Sequence, residues 1–238
     1  MAARPARSVY GMRTLQRRLS TDTRYTLLGL PAAVASFTVT VAGVSAGLGS
    51  AVVFVGLPVL AATAAASRHL ADLERVALPG VLGQPVARPE YPAAPASAGL
   101  VRRMLNPMTA GQAWMDLLYG IVGFPFALVS FILTAVWWTG AVAGLTFPLY
   151  GWAIARIPGV GHGLTEWLGL ADTPVMFVAV NTAVGALFAL TLVPVVRMAA
   201  LMKASVAQAM LTRAAYPGGH PGAGSEPAVI REPAWSAR

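Results

Sequence analysis

Three stretches of this chain carry no charged residue, and their lengths limit the fold more than anything else in the sequence. Tyr25 to Ser67 is 43 residues long, Leu117 to Ala155 is 39, and Thr173 to Val196 is 24. A helix needs about 20 consecutive apolar residues to cross a bilayer, so the first stretch has room for two spans. Only 11% of residues are charged and 56% are hydrophobic, against about 25% charged in a soluble domain. Such a chain has too little polar surface to coat a globule in water. Unsatisfied backbone groups are costly in lipid, which favours complete helices. Four spans are expected, over about Tyr25–Val44, Leu48–Ser67, Trp114–Thr139 and Pro174–Val196. The glycines and serines of Gly43–Ser50 are expected to turn the chain between the first two.

Sixteen of the seventeen basic residues flank these stretches on what would be one side; only Arg156 lies elsewhere. By the positive-inside rule the N-terminal segment, the loop from Arg68 to Asp116 and the tail after Val196 belong in the cytoplasm, which places both termini there. The membrane expected is the bacterial plasma membrane. The net charge of +8 then reports threading and contacts with anionic lipid. No basic–aromatic stripe or helix-turn-helix pattern points to nucleic acid. Trp137, Trp138, Phe147, Tyr150, Trp152 and Trp167 cluster around the expected outer segment, as an interfacial belt would. The apolar Ala141–Ala155 reads as an interfacial or re-entrant helix, with a fifth span as the alternative.

The segment Gly29-Leu30-Pro31 through Ser36-Phe37 and Thr40 recurs 94 residues later as Gly123-Phe124-Pro125 through Ser130-Phe131 and Thr134. Leu57-Pro58 is echoed by Val193-Pro194. The expected fold is therefore all-α and integral to the membrane: four transmembrane helices arranged as two parallel-repeat hairpins, each followed by a cytosolic amphipathic helix (Arg68–Leu78 and Arg197–Arg213). The organisation that follows is a basic cytosolic segment (1–24), a first hairpin with its amphipathic helix (25–78), and a Pro-rich linker (79–113). A second hairpin with an outer insertion at 140–172 and its own amphipathic helix (114–214) precedes a disordered tail (215–238). Pro31, Pro58, Pro125 and Pro194 each remove a backbone donor and are candidate hinges or helix-end devices.

Chemistry is sparse. The chain has no cysteine, which excludes disulfides, thiolate metal sites and thiol nucleophiles. Asn181 is the strongest polar residue within a span, and it reads as a packing contact. Ser36, Thr40, Ser130 and Thr134 read as helix-to-helix glue. His69, His162 and His220 have no companion at metal spacing. On the outer side, His162, Glu166 and Asp172 are the candidates for sensing a proton, a cation or a cationic ligand. No cofactor, metal or catalytic residue is expected, and the chain reads as a non-enzyme.

Tyr25 with Leu28-Gly29-Leu30-Pro31, Ser36-Phe37, Val55-Gly56-Leu57-Pro58-Val59-Leu60, Leu73-Glu74-Arg75, Trp114-Met115-Asp116-Leu117-Leu118-Tyr119 and Phe124-Pro125 carry a resemblance. In this order and spacing, from about Tyr25 to Leu211, the chain resembles the sensor domain found at the N-terminus of many bacterial sensor histidine kinases. The resemblance implies a membrane location and a role in perceiving or transmitting a signal. In such kinases a phosphorylated histidine and an ATP-binding domain follow; here 42 residues follow Val196, with His220 their only histidine. The expectation is a sensor-like module acting through a partner, such as a separate histidine kinase or other signalling protein, or through a homo-oligomer. A small transporter or permease subunit and a structural scaffold are the alternatives.

Overall fold

The computed structural model describes residues 6–50, 55–87, 89, 91, 95, 97, 99, 106, 111–157, 164–167, 169 and 173–212. All regular structure among them is helical: α1 (Ala6–Gly49), α2 (Gly56–Leu82), α3 (Gly111–Ile154), the single turn α4 (Leu164–Trp167) and α5 (Pro174–Leu211). Three segments, Thr14–Gly49, Gly111–Ile154 and Pro174–Leu211, are long and apolar enough to cross a membrane. At 1.5 Å per residue, α1 and α3 are each about 66 Å long, roughly twice the hydrocarbon thickness. Leu149, Leu190 and Val175 are well exposed on these helices, as lipid-facing side chains are. The second expected span, Leu48–Ser67, differs. Its residues 51–54 lie outside the described set, and from Gly56 only twelve uncharged residues precede Arg68.

The helices also run further than their apolar stretches. α2 passes through Arg68 and α5 through Arg197 without a break, so each expected amphipathic helix is the continuation of an apolar one. Nothing at either junction stops a helix, and the helix-favouring Ala, Leu, Met, Glu, Arg and Lys that predominate beyond them favour continuation. Ala141–Ala155 likewise extends α3 to Ile154. A Cβ on Gly144 would strike the backbone of Gly185, and one on Gly185 that of Gly144. These small residues let α3 and α5 approach closely, and the Phe147 and Phe177 rings meet edge-on beside them. Gly43 and Gly47 lie within α1, where a Cβ would run into Thr63 and Leu60 of α2. They serve helix approach, and the turn begins at Ser50.

Helix directions follow from the contacts. Along α1, Thr23, Phe37 and Thr40 meet Trp138, Phe124 and Gly120 of α3 in turn. Numbers rise on one helix as they fall on the other, so α1 and α3 are antiparallel. α5 is antiparallel to α3, with Trp137 bonded to Thr191 and Gln112 bonded to the Met210 carbonyl. The parallel arrangement of the two hairpins expected from charge has α1 and α3 running the same way. The observed packing instead seats Gly120 against Ser36 and Thr40, stacks Phe37 on Phe124 at 4.7 Å, and satisfies the Trp138 indole N–H on Thr23.

The main buried cluster joins α1, α2, α3 and α5 through Tyr25, Leu78, Val81, Tyr119, Ala204 and Leu211, among others. Charged side chains converge around it.

Candidate functional site: a buried knot of charge

On α5, Val196, Ala200, Lys203, Ala204, Ala207 and Leu211 recur every three to four residues and are all buried. That spacing puts one face of a helix against its neighbours, and Lys203 lies in the middle of it. Its side chain is 1% exposed and its ammonium is 2.9 Å from Glu74 Oε1. The Tyr25 hydroxyl donates to the same oxygen at 2.5 Å, and the Lys203 ammonium also sits 3.9 Å from the centre of the Tyr25 ring. Charge pairing, hydrogen bonding and cation–π contact together offset the desolvation of the lysine. Room for it exists only because Gly29 of α1 has no side chain: a Cβ there would overlap the Lys203 ammonium.

Arg75, the next residue along α2, points into a second cluster. Its Nη1 donates to Asp72 at 2.7 Å, its Nη2 to Asp116 of α3, and its Nε to the Leu211 carbonyl at 2.9 Å. Leu211 is the last residue of α5, where helix carbonyls lack an intrahelical partner. Gln112 bridges Asp116 Oδ1 and the Met210 carbonyl. From the linker, the Tyr91 hydroxyl donates to Asp116 Oδ2, and the Arg68 guanidinium lies 3.4 Å from the Tyr91 ring centre. Burial would lower the pKa of Arg75, but the hydrogen bond to Asp72 and the charge of Asp116 outweigh it and raise the pKa. The Tyr91 phenol is pushed up, by burial first and then by its bond to Asp116.

A third pair links Asp22 of α1, 3% exposed, to Arg197 of α5 at 3.0 Å; Arg197 also donates to the Val81 carbonyl of α2 at 2.8 Å. Among the described residues no buried side-chain nitrogen or oxygen lacks a partner. A fully satisfied polar network fixes one arrangement of the helices around it.

The residues singled out from sequence lie elsewhere. Asn181 donates to the Phe177 carbonyl one turn back in its own helix. Pro31, Pro125 and Pro194 fall inside α1, α3 and α5. Pro58 is the third residue of α2, where its missing N–H is one of the unpaired first-turn donors anyway. Glu166 belongs to α4, while His162 and Asp172, like the tail, lie outside the described residues. Thr40 pairs with Ser67 at 3.2 Å and Ser130 donates to the Ala199 carbonyl at 2.9 Å, so these two do join helices. Asp22, Glu74, Arg75, Asp116, Arg197 and Lys203 were missed as a set. Two signals pointed to them: the helical spacing of small residues around Lys203, and the place of Tyr25, Glu74, Arg75 and Asp116 among the residues that carry the family resemblance.

Long apolar helices tied by buried ion pairs define an all-helical membrane protein. A family profile described as "Putative sensor" matches residues 25–211, most of the chain, and the chain belongs to that sensor family. No curated protein and no solved structure matches it.

Proposed function

We propose that the chain is a non-enzymatic module of the bacterial plasma membrane that perceives a signal and passes it to a partner, such as a separate histidine kinase. The family supports the sensor-like role. The observation that carries the transmission step is the hold of Arg75 and Gln112 on the Leu211 and Met210 carbonyls. Through it the last turn of α5 is tied to α2, α3 and the linker. A stimulus that favours another packing of α1–α3 changes the environment of that turn, provided it binds the two packings with different affinity. The outward surface available to a partner includes Leu73 of α2 and Met198 of α5, 60% and 70% exposed. The arginines before Tyr25 favour a cytoplasmic start for α1. α5, antiparallel to α3 as α1 is, then runs the same way and carries its last turn to the other face, unlike the two cytoplasmic termini expected from charge. A change at that turn therefore reaches α1 through Arg75 and Glu74. The duplicated segments of α1 and α3, lying antiparallel, are better described as an inverted pair than as the parallel repeat expected from sequence.

A photo-crosslinker at position 73 or 198 in native membranes, followed by identification of the captured protein, tests this reading. A signalling protein is expected. Only self-crosslinked chain, under conditions that capture known complexes, argues for a scaffold or homo-oligomer.

A transporter-type reading draws support from the buried ion pairs, because ionisable residues inside helical bundles commonly mark transport paths. A Lys203→Met variant that folds yet abolishes flux of a cation or proton across proteoliposomes would favour it.

A further inference from the structure

Two adjoining cavities, of 460 and 430 Å³, lie along the groove between α1 and α2 and share Thr21, Gly80 and Val81. Their chemistry differs from end to end. Among the described residues the smaller is lined by Arg17, Arg18 and Arg197, with Asp22 as its one carboxylate. That carboxylate already pairs with Arg197, whereas Arg17 and Arg18 form no ion pair or side-chain hydrogen bond among the described residues. The larger holds Arg24 and the Lys203–Glu74 pair, then opens onto Leu28 and Val76, which are 64% and 63% exposed. Among the described residues, five basic groups face two carboxylates along the groove. It also spans the point, at Tyr25, where α1 changes from charged to uncharged sequence. An occupant must therefore be anionic at one end and apolar at the other, and it must sit at the edge of the hydrocarbon.

We propose that this groove is a binding site for an anionic phospholipid, its phosphate held by Arg17, Arg18 and Arg197 and its acyl chain lying along Leu28 and Val76. Basic pockets between transmembrane helices on the cytoplasmic side are suited to such head groups. The inference deepens the sensor reading by naming a ligand class, and it rests on that reading only for the position of α1 in the bilayer. A lipid lodged here touches the groups that pair with Asp22 and Glu74, so its presence bears directly on the knot.

The same anion chemistry is offered by free phosphate, and the test separates the two sources. The purified full chain is reconstituted in phosphatidylcholine vesicles doped with phosphatidylglycerol, extracted, and its retained lipid identified by native mass spectrometry. Phosphatidylglycerol should be retained in preference to phosphatidylcholine. The double variant Arg17→Gln/Arg18→Gln should weaken retention about thirtyfold, each arginine near an anionic head group contributing about fivefold. Gly80→Leu leaves every charge in place. A Cβ at Gly80 meets only Thr21, at an ordinary 3.6 Å, so the longer side chain projects into the groove and should displace the lipid from a folded protein. Equal phosphatidylglycerol retention by the wild type, the double variant and Gly80→Leu overturns the proposal. Inorganic phosphate that binds the detergent-solubilised chain and competes fully with phosphatidylglycerol also overturns it, in favour of a soluble anion. No partner is needed for the measurement, so failure to find a signalling protein leaves its outcome unaffected.

Discussion

Lys203 of α5 occupies the space that Gly29 of α1 leaves empty, and from there reaches Glu74 of α2. One absent side chain therefore sets the meeting of three helices. Gly29→Val should push the ammonium off Glu74 and leave two buried charges poorly paired. Lys203→Met leaves Glu74 without its counter-charge, though still hydrogen-bonded by the Tyr25 hydroxyl, and removing one partner of a buried pair costs about 3–5 kcal/mol. The double variant Lys203→Met/Glu74→Gln should recover much of that loss. Denaturant unfolding of the wild type, Lys203→Met, Glu74→Gln and the double variant in one detergent provides the cycle; additive losses would remove the coupling inferred between the two residues.

Arg75 serves α3 and the end of α5 at once. Arg75→Met should strand Asp116 as a buried carboxylate, again at about 3–5 kcal/mol, and should free the Leu211 carbonyl. Amide exchange in residues 205–211 should rise more than exchange near Gly185. Uniform change along α5 would mean that Arg75 contributes only to overall stability.

The Tyr91 contact tests whether the linker is fastened to the bundle. Tyr91→Phe keeps the ring against Arg68 and loses one hydrogen bond, a cost of about 1 kcal/mol at this half-buried position. The phenol pKa is raised in the folded chain. Its contribution is therefore complete below the ordinary tyrosine value of about 10 and is lost only as pH rises through the higher folded value. Protease cleavage near residue 91 should be faster in the variant and equal at pH 6 and pH 9 in the wild type. A marked pH dependence across that range would point to a different fastening group.

Because the chain has no cysteine, introduced pairs report helix direction cleanly. Thr23→Cys/Trp138→Cys should be bridged by a short bifunctional thiol reagent in native membranes, since the two native side chains are hydrogen-bonded. Thr23→Cys/Leu117→Cys should not. The reverse pattern would restore a parallel α1 and α3 and, with it, the threading read from charge.

The apolar helices were legible in the sequence because an uncharged run of 20 or more residues has few other fates. The ends of those helices were not. Arg68 and Arg197 look like the edges of spans, but nothing in the backbone stops there, and their charges are absorbed by Tyr91 and Asp22. Pairing between Glu74 and Lys203 joins residues 129 positions apart, and no local period reveals it. The positive-inside count weighs each basic residue as though it faced water. Arg75 and Lys203, 2% and 1% exposed, do not, and this weakens the count as a guide to the direction of α3. Glycines misled in a similar way: in Gly43–Ser50 they look like a turn, yet Gly43 and Gly47 bring two helices together.

Glu74 and Arg75 are neighbours on one turn of α2, and between them they hold Tyr25 and Leu211. These are the first and last residues of the family match. The region is thus cinched at both margins by a single turn. Its stiffness need not be spread over the long helices: a rotation of α2 by a fraction of a turn would move both margins together. Tension applied beyond Leu211 would be felt at Tyr25 through two side chains, without first travelling the length of the bundle.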